Sequence, residues 1–126
     1  MNRKLSSELY LRFPGIFKGR DKPMTESSML FGLECGDGWY NLIYALCEDL
    51  EQQAILEETP LPEAKQVKQK LGGLRFYVTG ETREMLDLID AAESRSETLC
   101  EVCGAHAERF SDRGWVKTRC KEHKAS

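Results

Sequence analysis

The most regular pattern of hydrophobic and polar positions lies between residues 37 and 57. Apolar residues recur there at the spacing of one helix face, namely Trp39, Leu42, Ile43, Leu46, Cys47 and Leu50. Asp37 stands where its carboxylate could accept hydrogen bonds from the first turn. The pattern predicts a core helix capped by Asp37, with an acidic outer face, that ends before the prolines at 60 and 62.

A strand and a second helix are predicted further along the chain. Residues 74 to 79 alternate, so that Leu74, Phe76 and Val78 face one way while Arg75, Tyr77 and Thr79 face the other. Residues 81 to 97 form an amphipathic helix whose inward positions are Met85, Leu86, Ile89 and Ala92.

Two other segments are less regular. Residues 62 to 71 fit a short helix, with Pro62 in the first turn and Gly72 as C-terminal cap, and we favour this interpretation. A strand that leads into a Gly72-Gly73 turn is the alternative. Residues 1 to 12 predict a short helix or an ordered arm, and residues 14 to 36 predict a long irregular segment.

The last part of the chain carries two pairs of metal-binding residue types. Cys100 and Cys103 form the first pair, and Cys120 and His123 form the second, in the pattern C-x2-C-x16-C-x2-H. Four protein ligands complete a tetrahedron without a position for water, which is typical of a structural Zn²⁺ site. His106 could replace His123 as the fourth ligand.

The residues between the two pairs predict a hairpin. Its turn falls at residues 112 to 114, and residues 115 to 119 form the returning strand. With a helical turn at the second pair, this resembles a treble clef or zinc ribbon. The fold class is therefore α+β, with a core domain over residues 1–98 and a treble-clef-like zinc-knuckle module over residues 99–126 packed on it.

Composition places the chain among cytoplasmic proteins of one domain. It has 126 residues, 31% of them charged, and a mean hydropathy of -0.51. We expect no membrane helix, because no apolar run approaches the ~20 residues that one needs. We expect no signal peptide, because the charged residues at the start of the chain are followed by no apolar region. Cys35 and Cys47 are expected to be reduced thiols. Cys47 fits a buried apolar position, while Cys35 could be a turn residue, a reactive thiol or a partner contact.

Charge is strongly segregated along the chain, although the net charge is only -3. Residues 23 to 64 contain nine acidic residues and no Lys or Arg, whereas residues 1 to 22 and 100 to 126 are net basic. An acidic helix repels nucleic acid and suits a basic groove on a protein partner. This favours protein binding.

Nucleic-acid binding through the hairpin is the main alternative. Cations for phosphate contacts accompany an aromatic side chain for stacking there, and the candidate residues are Arg113, Trp115 and Arg119. Arg75 and Tyr77 share one strand face, so they form either a second packing surface or a recognition patch. The oligomeric state is left open.

Catalytic patterns are weak. The chain has two histidines, and it lacks a Ser-His-Asp order, a phosphate-binding glycine loop and an H-E-x-x-H motif. A treble clef invites comparison with HNH nucleases, but His106 is the only candidate catalytic histidine. We predict no enzyme activity. A nucleotide-binding protein or enzyme that uses Asp37, Arg75 and Tyr77 is a distant alternative.

Three segments together carry a resemblance to a known family: the Cys35-Gly36-Asp37-Gly38-Trp39 string, the Gly-Gly-Leu-Arg-Phe-Tyr string at 72 to 77, and the terminal paired knuckles. Over roughly residues 30 to 125 the chain resembles a family of small phage and prophage proteins to which no reaction is assigned. The resemblance implies a phage-encoded accessory protein in the cytoplasm of a bacterial host. We expect it to bind a host or phage protein, for instance as a counter-defence inhibitor.

Overall fold

A computed structural model describes residues 1–125 of the chain as three α-helices and five β-strands, joined in places by short 3-10 turns. In chain order these are α1 (Arg3–Arg12), β1 (Leu33–Glu34), α2 (Tyr40–Glu57), β2 (Glu63–Lys70), β3 (Gly73–Thr79), α3 (Arg83–Ser96), β4 (Glu108–Asp112) and β5 (Trp115–Arg119). This confirms the α+β fold class. Within these residues, no helix has both the length and the apolar content to cross a membrane.

The larger sheet has three strands in the order β1-β2-β3. β2 pairs antiparallel with β3, and the short β1 pairs parallel with β2. Lys70 and Gly73 face each other across a two-residue turn in which Leu71 and Gly72 both have positive φ. Two such residues match the right-handed twist of a hairpin. β4 and β5 form a second hairpin with the same kind of turn at Arg113-Gly114.

The favoured helix over residues 62 to 71 is wrong, because this segment is strand β2. The pairing of β2 with β3 shifts register between Ala64 and Gln66. A β-bulge of this kind adds one residue to the strand and changes which side chains share a face. Ala64 and Val67 are both buried for this reason, and their three-residue spacing imitates a helix.

Strand β3 carries the predicted alternation, and α3 covers its outer edge. Leu74 and Phe76 are buried, while Tyr77 is exposed. The backbone N–H of Leu74 donates to Ser96 Oγ at 2.8 Å, and that of Phe76 donates to a Glu93 carboxylate oxygen at 2.8 Å. The helix therefore supplies the hydrogen-bond acceptors that a further strand would otherwise provide.

One hydrophobic core lies between the helices and the inner face of the larger sheet. Trp39, at the start of the α2 segment, is fully buried, as its position on the predicted helix face requires. Phe17, from the irregular segment after α1, packs edge-to-face on Phe76 with ring centroids 6.3 Å apart. This segment therefore docks on the core.

The two long helices match their predictions except at particular residues. Asp37 does not cap α2, because its carboxylate accepts hydrogen bonds from the backbone and side chain of Asn2. Leu86 was expected to face inward but is 38% exposed. Thr82 caps α3 and also donates from its hydroxyl to Glu57 at 2.6 Å, which joins the start of α3 to the end of α2.

Candidate metal centre

Four side chains from two separate segments meet at the C-terminal end of the fold. Cys100 and Cys103 follow α3, Cys120 follows β5, and His123 closes a 3-10 turn over Lys121–His123. One potential ligand atom from each of the four lies within 4.8 Å of the others. These residues could therefore hold a metal ion.

The distances between the donor atoms fit a tetrahedral ion. Cys103 Sγ is 3.7 Å from Cys120 Sγ, and His123 Nδ1 is 3.2 Å from Cys120 Sγ and 3.7 Å from Cys100 Sγ. Zinc bond lengths place two ligand sulfurs about 3.8 Å apart, and a sulfur and a nitrogen about 3.5 Å apart, in an ideal tetrahedron. The nitrogen that faces the sulfurs is Nδ1.

The local electrostatics favour a thiolate at Cys100. Burial alone would raise the pKa of this thiol, but the backbone N–H groups of Cys120, Cys103 and Val102 point at the sulfur and lower its pKa to about 6. Cys103 is exposed, so the two members of the first pair stand on the inner and outer sides of the site.

His106 lies outside this group of donors. It forms an isolated antiparallel bridge with Leu99, and its side chain is exposed. Among residues 1–125, the cluster of metal-binding side chains contains His123 and not His106. The proposed exchange of these two histidines therefore finds no support in the geometry.

The first knuckle packs directly against the glycines at 36 and 38. A Cβ atom on Gly38 would lie 2.1 Å from the Cys100 carbonyl oxygen and 2.6 Å from the Gly104 nitrogen. A Cβ on Gly36 would lie 2.2 Å from the Glu101 carbonyl oxygen. Only glycine permits two backbones to approach so closely, which explains why this segment reads Gly-Asp-Gly.

Specific hydrogen bonds hold the knuckle in place. The backbone N–H of Gly38 donates to Glu101 at 2.8 Å, and the Trp39 indole N–H donates to the Leu99 carbonyl at 2.9 Å. On the other side, the buried hydroxyl of Thr118 donates to the Gly72 carbonyl at 2.6 Å. The Arg109 guanidinium also donates to Glu97 at 2.9 Å. The segment after residue 98 is thus bonded to the rest of the fold at several places, and its status as a separate module stays a prediction.

The hairpin residues singled out from the sequence lie around the β4–β5 turn. Trp115 is 72% exposed, Arg113 is exposed in the turn itself, and Arg119 is half-buried at the end of β5. Lys124 lies over the Phe110 ring, 5.0 Å from its centroid, so this second aromatic is partly covered. The hairpin therefore presents an exposed aromatic side chain, Trp115, and an exposed cation, Arg113. The binding of nucleic acid or protein to these residues stays a prediction.

Arg75 and Tyr77 differ in exposure and in their contacts, and their role in binding stays a prediction. The Arg75 guanidinium donates to the Leu74 carbonyl at 3.0 Å. It also lines a small cavity with the carboxylates of Glu93 in α3 and of Glu97, which follows the helix. Tyr77 is 43% exposed. Arg75 is therefore engaged at the edge of the sheet, which favours the packing interpretation.

Both remaining thiols are buried and unpaired. Burial raises the pKa of Cys35 to about 12, and it raises the pKa of Cys47 as well. Neither sulfur is then available as a thiolate near neutral pH. Cys35 is a packing residue at the start of the Gly36–Gly38 segment, and the reactive-thiol alternative is disfavoured.

A groove between α2 and α3 adjoins the metal site and was not foreseen from the sequence. Its volume is about 630 Å³. Apolar side chains of both helices line it, among them Leu42, Leu46 and Leu88, and Cys103 lies at one end. The apolar periodicity of both helices was visible in the sequence, but their relative placement was not.

Comparison of the chain with protein-family models, with curated proteins and with solved structures finds no match. The assignment of function therefore depends on the geometry of this chain, and the resemblance to phage and prophage proteins stays an expectation.

Proposed function

We propose that the protein is a non-enzymatic binding protein whose C-terminal module is held together by a structural Zn²⁺ ion. The observation that supports this is the set of four protein donors at tetrahedral spacing, since such a set leaves no position for a substrate or a reactive water. Three soft thiolates and one imidazole form a donor set that suits zinc. The ion would join the end of α3 to the end of β5.

The module that results is treble-clef-like: a knuckle, a hairpin and a short helical turn share one ion. Residues 100 to 123 contribute few large buried side chains, Cys100, Ala107 and Thr118 being the buried positions. Zinc binding can supply about 10–16 kcal/mol of apparent free energy to a small domain. We therefore infer that the ion stabilises residues 100 to 123, as the hydrophobic core stabilises the rest of the fold.

A protein is the partner that the charge distribution favours. The segment that contains α2 carries no Lys or Arg, and its exposed carboxylates would repel the phosphates of nucleic acid. The resemblance to phage proteins points to a host or phage protein, and inhibition of a host defence protein is a form that this binding could take. The cytoplasm of a bacterial host would be its location.

The zinc proposal is tested by the metal content of the purified protein. We expect one zinc per chain, and we expect Co²⁺ substitution to give the intense absorption bands of a tetrahedral thiolate site. Cys103→Ser should lower zinc affinity strongly, while the neighbouring exposed change Val102→Ser should not. Protein that folds with no zinc, or a Co²⁺ spectrum typical of six-coordinate oxygen ligands, would refute the proposal.

The binding proposal is tested by affinity capture from a bacterial lysate treated with nuclease. We expect a stoichiometric protein partner with the zinc-loaded protein and its loss with Cys103→Ser. Metal-dependent turnover of nucleic acid or nucleotide by the purified protein would contradict the non-enzymatic assignment.

The second candidate function is nucleic-acid binding through the β4–β5 hairpin. The exposure of Trp115 favours it, because an exposed aromatic side chain can stack on a base. A steep fall of affinity with salt, reduced by Arg113→Ala and Trp115→Ala, would support this alternative. If a capture experiment without nuclease recovers nucleic acid and no protein partner, and if high salt releases that nucleic acid, nucleic-acid binding would replace the protein-binding proposal.

A further inference from the structure

The groove between α2 and α3 has the form of a binding site for a third helix. Two contacts set the helices antiparallel: Trp39 bonds to Leu99 at one end, and Glu57 bonds to Thr82 at the other. Between them lies the cavity of about 630 Å³. Pockets that bind ligands specifically have volumes of about 300–1,000 Å³.

The floor of the groove is apolar, and small residues stand midway along both of its sides. Larger side chains, among them Tyr40 and Leu5 of α1, line it nearer the knuckle end. Leu42, Leu46 and Ala92 are buried beneath it. Ala45 on α2 and Ala91 on α3 are exposed at its sides. Small side chains on the rims let another backbone approach to normal helix-packing distance, about 8–10 Å between axes. Backbone groups of the two helices are already paired, so an extended strand would find no hydrogen bonds there.

The metal-binding segment closes one end of this groove. Cys103 and Gly104 line that end together with Gly38. The close backbone contact between Gly38 and the first knuckle holds this end wall together. An occupant of the groove would therefore touch the knuckle, and the end wall would be lost if the knuckle moved away.

Charge identifies the chemistry of the occupant. Asp49 lines the other end of the groove and is exposed, and no basic side chain of residues 1–125 lies within salt-bridge distance of it. Glu48 lies beside it on the same turn. At the knuckle end, Asp37 and Arg95 are both present and offset each other. The unbalanced charge is negative and lies at the Asp49 end.

We propose that the groove binds an amphipathic helix of a protein partner, with its apolar face on Leu42 and Leu46 and a Lys or Arg beside Asp49. Apolar anchors at i, i+3 or i+4 and i+7 are the recognition pattern that two antiparallel helices accept. This inference rests on the proposed function, of which it names the binding surface and the partner's chemistry.

The test is a selection of displayed random peptides of about 16 residues on the zinc-loaded protein. We expect enriched sequences with the helical apolar spacing and a basic residue at one end. For a synthetic copy of the most enriched peptide, Ala45→Trp fills the groove and should weaken binding at least about tenfold. Asp49→Lys should weaken it about threefold to tenfold through charge repulsion.

Ile55→Trp is the matched control, because Ile55 is 76% exposed and lies on the flank of α2 that faces away from α3, outside the groove. This change should leave affinity unchanged. Amide chemical-shift changes in the unaltered protein provide a second measurement and should concentrate on α2 and α3. Any one of four results would overturn the inference. These are enrichment of acidic peptides, no enrichment at all, binding that Ala45→Trp does not weaken, and chemical-shift changes confined to the β4–β5 hairpin. If a partner captured from lysate binds the Ala45→Trp variant as well as it binds the unaltered protein, the groove proposal fails and the proposed function stands. If the purified protein contains no zinc, the proposed function itself fails.

Discussion

Replacement of Gly38 by alanine tests how the metal-binding segment is attached to the core. The added Cβ would lie 2.1 Å from the Cys100 carbonyl oxygen and 2.7 Å from the Glu101 carbonyl carbon. These are backbone atoms, so no side-chain rotation relieves the overlap. The chain must either strain both backbones or move the knuckle away from residues 36 to 39.

The cost of the second route can be worked from the contacts that it breaks. The hydrogen bond from Gly38 N–H to Glu101 contributes about 1 kcal/mol, and an unpaired buried N–H on the Trp39 indole costs about 1–3 kcal/mol. Strain of backbone overlaps this short exceeds the about 1–3 kcal/mol that is usual for overpacking. We therefore expect a loss of about 2–4 kcal/mol of unfolding free energy by the cheaper route.

The measurement is urea unfolding with zinc in fixed excess, because bound metal itself shifts the apparent stability. Gly15→Ala is the control: its Cβ would meet only the end of the Leu61 side chain, at 2.7 Å, and a rotamer change there costs about 1 kcal/mol. A Gly38→Ala protein within about 1 kcal/mol of the unaltered chain would refute the described contact between the knuckle and the core.

Three further predictions follow from side chains that are buried or half-buried. Burial raises the pKa of Glu93 above its ordinary value of 4.5, so its stabilising contribution is fullest below pH 4.5 and is lost as the pH rises through the raised pKa. The stability of Glu93→Gln relative to the unaltered protein should therefore increase from acid toward neutral pH. Thermal melts at several pH values measure this, and parallel curves for the two proteins would contradict it. Thr118→Val removes the donor to the Gly72 carbonyl and should cost about 1–3 kcal/mol in urea unfolding, an unchanged midpoint being the contrary result. Iodoacetamide near pH 8 should leave Cys35 unmodified in folded, zinc-loaded protein and modify it after denaturation, as mass spectrometry would show, whereas rapid labelling of the folded state would contradict its burial.

The sequence predicted best those elements whose periodicity a single helix or strand determines. The apolar stripe of α2 and the alternation of β3 correspond directly to the buried residues. The β4–β5 hairpin was predicted because Gly114 marks a turn that needs positive φ. The four candidate metal ligands were selected by spacing alone, and the fold brings them together.

The errors have a common origin in contacts between distant parts of the chain. Asp37 was expected to cap the start of the helix over residues 37 to 57, but its carboxylate accepts hydrogen bonds from Asn2 instead. The bulge at Ala64–Gln66 is set by pairing with β3, and it gave β2 a helical spacing of apolar residues. Ser96 was not among the inward positions predicted for the helix over residues 81 to 97, although it is buried and lies four residues after Ala92 on the same stripe. It could have been recognised by that position.

The acceptors that α3 presents to β3 also limit how this protein can recognise others. Many binding domains capture an extended peptide by adding it as a strand at an open sheet edge. Here Ser96 and Glu93 already occupy the N–H groups of Leu74 and Phe76. The opposite edge is β1, which is only two residues long. Strand addition to the larger sheet is therefore blocked at these N–H groups of β3, and β1 offers only two residues for pairing at the other edge. A partner that contacts this sheet is thus recognised mainly through side chains.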